Sequence, residues 1–378
     1  MTFLITFSHI KKSPSNLLIL LLLLITSCYR DEGYNNTFHC DIYLDDFEIL
    51  LENPLEIDLS RVHAVQSVRD MIYIADYSRG YISVYNTFEN TFNKIGNKGA
   101  GPFEFSSTRF VIVDDTLYIY DPGQAKLASF DIIQQVFISE YSIGDDFTLG
   151  RNLLDVNNGK YFIQTIRRAE PERIESQILR LDIKDHSLDT LLTYTDNNMI
   201  WYRDNGFDFG AVIGNLGNVL PVMVNGILYI FENTRFAYHE SDNPEIKTDV
   251  NFSYNPDYDW YLSRYTNSIQ NTGHNPESTL EYFKKAIDSH REEYSALYEE
   301  VIPGDDLFIF KLFATDQNAY LLYDRTDNSN TILCSKPQYR IIYSDNSNLY
   351  WIQNKDFSHY SLIKSQLARP PQSNQNKP

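Results

Sequence analysis

Met71-Ile-Tyr-Ile-Ala-Asp76 and Leu117-Tyr-Ile-Tyr-Asp121 are two copies of one design, a short aliphatic and aromatic run closed by a polar residue. The design returns at Lys160-Tyr-Phe-Ile-Gln164, Leu228-Tyr-Ile-Phe-Glu232, Tyr320-Leu-Leu-Tyr-Asp324 and Leu349-Tyr-Trp-Ile-Gln353. Runs this short and this rich in Tyr, Phe, Ile and Leu favour strands. A strand unit repeated in this way cannot bury its faces alone, so the copies must stack on one another.

The closing residues Asp76, Asp121 and Gln164 stand 45 and 43 residues apart. That is the length of one four-stranded blade of a β-propeller. Six copies predict an all-β, six-bladed β-propeller over residues 38–365. In the first blade the strands read Met71 to Ala75, Tyr81 to Tyr85 and Thr91 to Ile95. In the second they read Phe110 to Val113, Leu117 to Tyr120, Lys126 to Phe130 and Val136 to Tyr141.

Later intervals are irregular. Gln164 to Glu232 is 68 residues, and the surplus is assigned to a long loop from Trp201 to Asn218. Glu232 to Asp324 is 92 residues, and a helical insertion before the fifth blade, about 255–303, accounts for the excess. Its start is marked by Asn275-Pro276 and the capping box Ser278-Thr-Leu-Glu281. Leu280, Phe283, Ile287, Tyr294, Leu297 and Val301 follow as an apolar stripe, and Pro303-Gly304 ends it. Gln353 lies only 29 residues past Asp324, so blade five reads as one strand short and an N-terminal strand must complete the ring.

The ends of the chain carry other signals. Lys11 and Lys12 precede an unbroken apolar run from Leu17 to Ile25, too short to span a bilayer, so 1–27 reads as a signal peptide. Ile25-Thr-Ser-Cys28 resembles the lipobox of bacterial lipoproteins, which makes Cys28 the lipidated residue and the lipid anchor the link to a membrane. Residues 28–37 form a tether whose Asp31-Glu32 is similar to the export signal of surface lipoproteins in Bacteroidetes. Residues 366–378 form a polar tail. The remaining cysteines, Cys40 and Cys334, read as buried free thiols in preference to a disulfide pair.

Between the first two blades stands Ile95-Gly-Asn-Lys-Gly-Ala-Gly-Pro-Phe-Glu-Phe105. It lacks the spacing of a phosphate loop and no helix follows it, so a structural connection is the better reading. The segment resembles the Gly-x-Gly-Pro-x-Glu-Phe signature of the six-bladed β-propeller lipoproteins widespread in Bacteroidetes, relatives of NHL-type propellers. That resemblance implies an outer-membrane location, facing the cell surface or the periplasm, and a binding or scaffolding role. It supplies no catalytic residues.

With 51 acidic residues against 32 basic ones, the chain has no basic footprint for nucleic acid. No histidine pair has metal-ligand spacing, no C-x-x-C or G-x-S-x-G occurs, and no cofactor is expected. Yet the loops assigned between second and third strands carry Arg79, Lys126, Arg167, Arg168, Arg173, Arg235, Arg325 and Lys355, one or more per blade. Guanidinium groups converging on a channel mouth suit carboxylates through paired contacts. The expected partner is an anionic ligand, an acidic glycan or a carboxylate-rich protein segment. Acids share these loops (Asp76, Glu170, Glu172, Glu232, Asp327, Asp356), so local ion pairs are the competing account. A lactonase- or lyase-type enzyme with a channel site, or a scaffold subunit of an outer-membrane complex, are the alternatives. The inner strands, taken as Phe110 to Val113 and Phe308 to Leu312, are mostly apolar and argue against the enzyme.

Overall fold

The computed structural model describes residues 40–367 apart from 44–46, 53, 55–56, 77–78, 144–149, 171–172, 186, 196–198, 205–206, 213–218, 254–296, 305, 313–317, 346 and 357–358. Two short N-terminal strands, β1 (Ile42–Tyr43) and β2 (Glu48–Glu52), precede the blades. Blade one is β3 (Val62–Val68), β4 (Met71–Asp76), β5 (Ile82–Asn86) and β6 (Thr91–Ile95). A parallel pair, β7 (Asn97–Lys98) and β8 (Glu104–Phe105), leads to blade two: β9 (Arg109–Val113), β10 (Thr116–Asp121), β11 (Lys126–Asp131) and β12 (Val136–Ser142). Blade three is β13 (Gly150–Asn157), β14 (Lys160–Glu170), β15 (Arg173–Asp182) and β16 (Ser187–Thr195). A hairpin follows, β17 (Met199–Asp204) and β18 (Phe207–Val212).

Blade four is β19 (Val219–Val224), β20 (Ile227–Glu232), β21 (Ala237–Glu240) and β22 (Lys247–Asp249). Blade five is β23 (Tyr298–Pro303), β24 (Leu307–Leu312), β25 (Asn318–Asp324) and β26 (Ser329–Ser335). Blade six is β27 (Tyr339–Ser344), β28 (Asn348–Asp356) and β29 (His359–Gln366), with β2 as its outermost strand. The first strands neighbour one another in the closed order β3–β9–β13–β19–β23–β27–β3, so they form the inner ring around the axis. The N-terminal strand completes the sixth blade, as the sequence requires, and closure removes the exposed edge.

The repeated run is apolar at every position because both of its faces are buried. In β4, Ile72 and Ile74 pack toward blade six while Tyr73 and Ala75 pack toward blade two. In β28, Tyr350 and Ile352 pack toward blade one while Leu349 and Trp351 pack toward blade five. The aromatic content is concentrated between blades four and five, where Phe231, Phe308, Phe310 and Tyr298 are essentially unexposed. The closing acids latch the connections entering their own blades: Asp121 accepts from Ser106 N at 2.6 Å and Ser106 Oγ at 2.7 Å, and Asp76 accepts from Asp58 N at 3.4 Å.

The glycine-rich connection is structural. Gly96 takes φ +83°, and a Cβ on Gly99 would lie 2.1 Å from the carboxylate of Glu104. That carboxylate accepts from Gly101 N at 2.8 Å. Phe105 is fully buried between the blades.

Several expectations are corrected. Tyr320–Asp324 lies on the third strand of blade five, because β24 is its second strand and β23 its inner one. Blade five therefore has four strands of its own, with β1 added as a fifth, and the 29-residue interval follows from the shift by one strand. The last residues of the expected helix, Tyr298–Pro303, are that inner strand. A bulge at Glu299 puts Tyr298 and Val301 on the same face, and Leu297 packs against the same cluster, so Leu297 and Val301 stand four apart on one side as they would in a helix. The rest of the insertion, 254–296, lies outside the described residues, among which there is no α-helix.

The expected loop from Trp201 holds the β17–β18 hairpin, whose strands are separated by Asn205-Gly206, the dipeptide most favoured in two-residue hairpins. Cys40 and Cys334 are not free thiols but a disulfide. Strand β1 adds to β26 in parallel, with Asp41 N donating to Ile332 O at 3.0 Å, and this brings the sulfurs together.

Candidate functional site

The channel has two chemically different ends. At the starts of the inner strands lie His63 on β3, Arg109 on β9, Glu299 and Glu300 on β23, and Arg340 on β27, with Lys311 on β24 beside them. His63 and Glu299 both sit at bulges, where an extra residue re-aims the side chain. His63 Nε2 lies 2.8 Å from Thr108 O and 3.2 Å from Arg109 Nη1. Burial, and then the Arg109 charge, push the imidazole down to about 3, so it is neutral. Arg109 donates to Ser107 Oγ at 3.1 Å and Thr108 O at 3.0 Å. Arg340 donates to Val62 O at 3.3 Å, which carries the cluster from blade six onto blade one.

Lys311 Nζ donates to Glu299 Oε2 at 2.5 Å. Glu300 has exposed side-chain surface, yet the surrounding protein desolvates it and raises its carboxyl against the pull of Lys311 and Arg340. A group that touches solvent while enclosed by protein is what the wall of a narrow passage provides. Three bases, two acids and a neutral imidazole thus line an arc across blades five, six, one and two. No group of three or more His, Cys, Asp or Glu residues able to hold a metal occurs among the described residues.

At the other end, where the inner strands finish, a cavity of about 700 Å³ is lined by residues from all six blades. Its polar groups include Gln66, Asp114, Asp155, Asn157, Asn225 and Ser344, and its lining contains neither Lys nor Arg.

The basic residues expected from the sequence distribute differently. Arg79 follows β4, pairs with Asp76 at 3.4 Å and donates to Tyr81 Oη at 2.5 Å. Arg235 pairs with Glu232, and Lys355 with Glu52. Lys126 is 8% exposed and donates to Gly101 O at 2.9 Å and Glu104 O at 3.0 Å, with Glu140 3.5 Å away. It clamps the glycine-rich connection and is not presented at the mouth. Arg167 and Arg168 end β14 opposite Glu175 and Ile174, and Arg173 begins β15 opposite Glu170; their side chains lie outside the described residues.

Arg325 follows the third strand of blade five and so belongs to the opposite face. Its backbone N–H donates to Asp306 O at 2.9 Å, and its guanidinium lies 4.7 Å over the Phe308 ring. The residues between β24 and β25, Phe313-Ala-Thr-Asp-Gln317, lie outside the described residues and include an acid and no base. Cys28 also lies outside the described residues.

Sequence reasoning missed Arg109, Arg340, Glu299, Glu300 and Lys311. The usable signal was a charged residue at the first or second position of an otherwise apolar inner strand, as in Arg109-Phe-Val-Ile-Val113 and Tyr339-Arg-Ile-Ile-Tyr343.

A Bacteroides fragilis protein inferred to be exported has a crystal structure that superposes with a TM-score of 0.51 at 14% identity, over 88% of this chain and 98% of that one. A chain of a nidogen–laminin complex gives 0.38 at 10% identity over 72% and 84%, and the CNH domain of AfRom2 gives 0.40 at 6% over 86% and 100%. A search of curated proteins found no match. The family model described as 6-bladed beta-propeller matches residues 25–341. With the ring of inner strands closed and the match covering most of its length, this chain belongs to that 6-bladed beta-propeller family.

Proposed function

We propose that this protein is a lipid-anchored binding module of the bacterial outer membrane, without catalytic activity, that takes an anionic ligand at the channel mouth formed by the starts of its inner strands. The observation that carries the reading is the arc of Arg109, Arg340 and Lys311 around that mouth, in a chain whose net charge is −19. Arg340 is exposed and spends one hydrogen bond on Val62, and a guanidinium has further N–H donors to offer a carboxylate. The loop bases Arg79, Arg235 and Lys355 stand on the same face and hold carboxylates of their own.

An oxidising compartment is supported by the Cys40–Cys334 disulfide as well as by the signal segment ahead of Cys28. An acidic glycan or a carboxylate-rich segment of a partner protein fits such a mouth. Titration of acidic oligosaccharides against the wild type and Arg340→Ala tests the reading.

A second reading is favoured by one observation. His63, Glu299 and Glu300 stand at the starts of inner strands, which the expectation of apolar inner strands had not included. A neutral imidazole and a raised carboxyl at the same end of the channel are acid–base equipment. Turnover of an acidic ester or glycan, abolished by Glu300→Gln with binding kept, would favour an enzyme.

A further inference from the structure

We infer that the 700 Å³ cavity at the finishing ends of the inner strands is a second binding site, for a saccharide that carries no negative charge. It is separate from the basic mouth and stands or falls apart from it. The cavity is built from every blade, and its volume is in the range of sites that enclose small organic ligands.

Its chemistry is that of an acceptor-rich cup. Asp114 and Asp155 supply carboxylates, and Gln66, Asn157 and Asn225 supply amides. With neither Lys nor Arg in the lining, an anion would be repelled. Asp155 accepts from Val156 N at 2.7 Å and Gly226 N at 3.0 Å, which fixes its carboxylate. Gln66 Oε1 accepts from Ile112 N at 2.6 Å, so its amide N–H groups are oriented by that bond. Val111, Leu154 and Met223 supply apolar wall between these groups. Carboxylates and amides set in apolar wall match a sugar, whose hydroxyls donate to carboxylates while its C–H faces lie on aliphatic side chains.

The cup is also preorganised. Asp114 and Asn225 take φ of 52°, and Gly226 takes 79°. A Cβ on Gly226 would fall 1.6 Å from Asn157 Nδ2, so glycine, which also suits the φ of 79°, lets the turn close against Asn157 as it stands. Rigid turns hold the polar groups in place before a ligand arrives, which lowers the ordering cost of binding.

The test is calorimetric titration of the full-length chain in detergent with neutral glucose, mannose and galactose oligosaccharides, with acidic oligosaccharides in parallel. Two variants probe the cup. Gly304→Phe fills it; Gly304 has no positive φ, and a Cβ there meets only ordinary contacts from 3.4 Å. Asp114→Asn removes a charge while asparagine keeps the left-handed turn. At least one neutral saccharide should bind the wild type and weaken about tenfold or more in both variants. Arg340→Ala should leave that binding unchanged. Failure of every neutral saccharide to bind overturns the inference. So does binding that both variants retain, or that only Arg340→Ala abolishes.

Discussion

Cys40 and Cys334 are joined across 294 residues of sequence, with their Cα atoms 5.7 Å apart, so the start of the described chain is stapled to the outer strand of blade five. The adjacent strand β2 then closes blade six. Two neighbouring blades therefore depend on the same N-terminal segment.

Cross-links closing long loops stabilise by about 2–5 kcal/mol, chiefly through the unfolded chain. The double variant Cys40→Ala, Cys334→Ala should unfold at lower denaturant by that amount. Wild type with a reductant should match it, and the reductant should leave the double variant unmoved. Chemical denaturation followed by tryptophan fluorescence checks this.

Lys126 should behave as a structural residue. Replacing it by Ala leaves Gly101 O, Glu104 O and Glu140 without their cation, at a cost of about 2–4 kcal/mol. Urea titration of Lys126→Ala should show that loss. A variant with wild-type stability and impaired ligand binding would return Lys126 to the mouth.

Stability should fall in acid partly because of His63. Its folded value is lowered from 6.5 to about 3, so between these values the unfolded chain binds the proton and the folded chain does not. The contribution is full above pH 6.5 and is lost as pH falls toward 3. Thermal melts from pH 7 to pH 4 should show a smaller drop for His63→Gln than for wild type.

Glu300 has the opposite sign. Its raised carboxyl favours the folded state below the ordinary carboxylate value, and that contribution is lost as pH rises through the folded value. Because ionising this desolvated carboxyl works against the fold, Glu300→Gln should raise the melting temperature, and most at the alkaline end of a pH series. Stability gained by removing a side chain is the signature of a group kept for binding or chemistry.

The blades were legible because the second strands are buried on both faces, and Ile72 with Tyr73 or Leu349 with Trp351 leave no polar position to blur the run. Counting failed at Tyr320–Asp324 because the third strand of blade five is as apolar as a second strand, with Ala319 to Tyr323 all buried. The bulge at Glu299 defeated the strand period in one place and produced a helical spacing in another. The channel charges were hidden for the same reason: His63 and Glu299 are bulged residues, and alternation assigns them no fixed face. The loop bases were easy to find, but a sequence does not show that Arg79 already has Asp76, or that Lys126 turns inward to carbonyls. The disulfide was missed because it needs β1 to add to a blade that is 294 residues away.

The measurement closest to the central claim is calorimetric titration of an acidic oligosaccharide series into wild type and Arg340→Ala, at low and high salt, with unfolding followed in parallel. The account predicts binding to the wild type that weakens with salt, falls about tenfold or more in Arg340→Ala, and leaves the variant's stability near that of the wild type. Equal binding by both proteins, or none by a folded wild type, would contradict it.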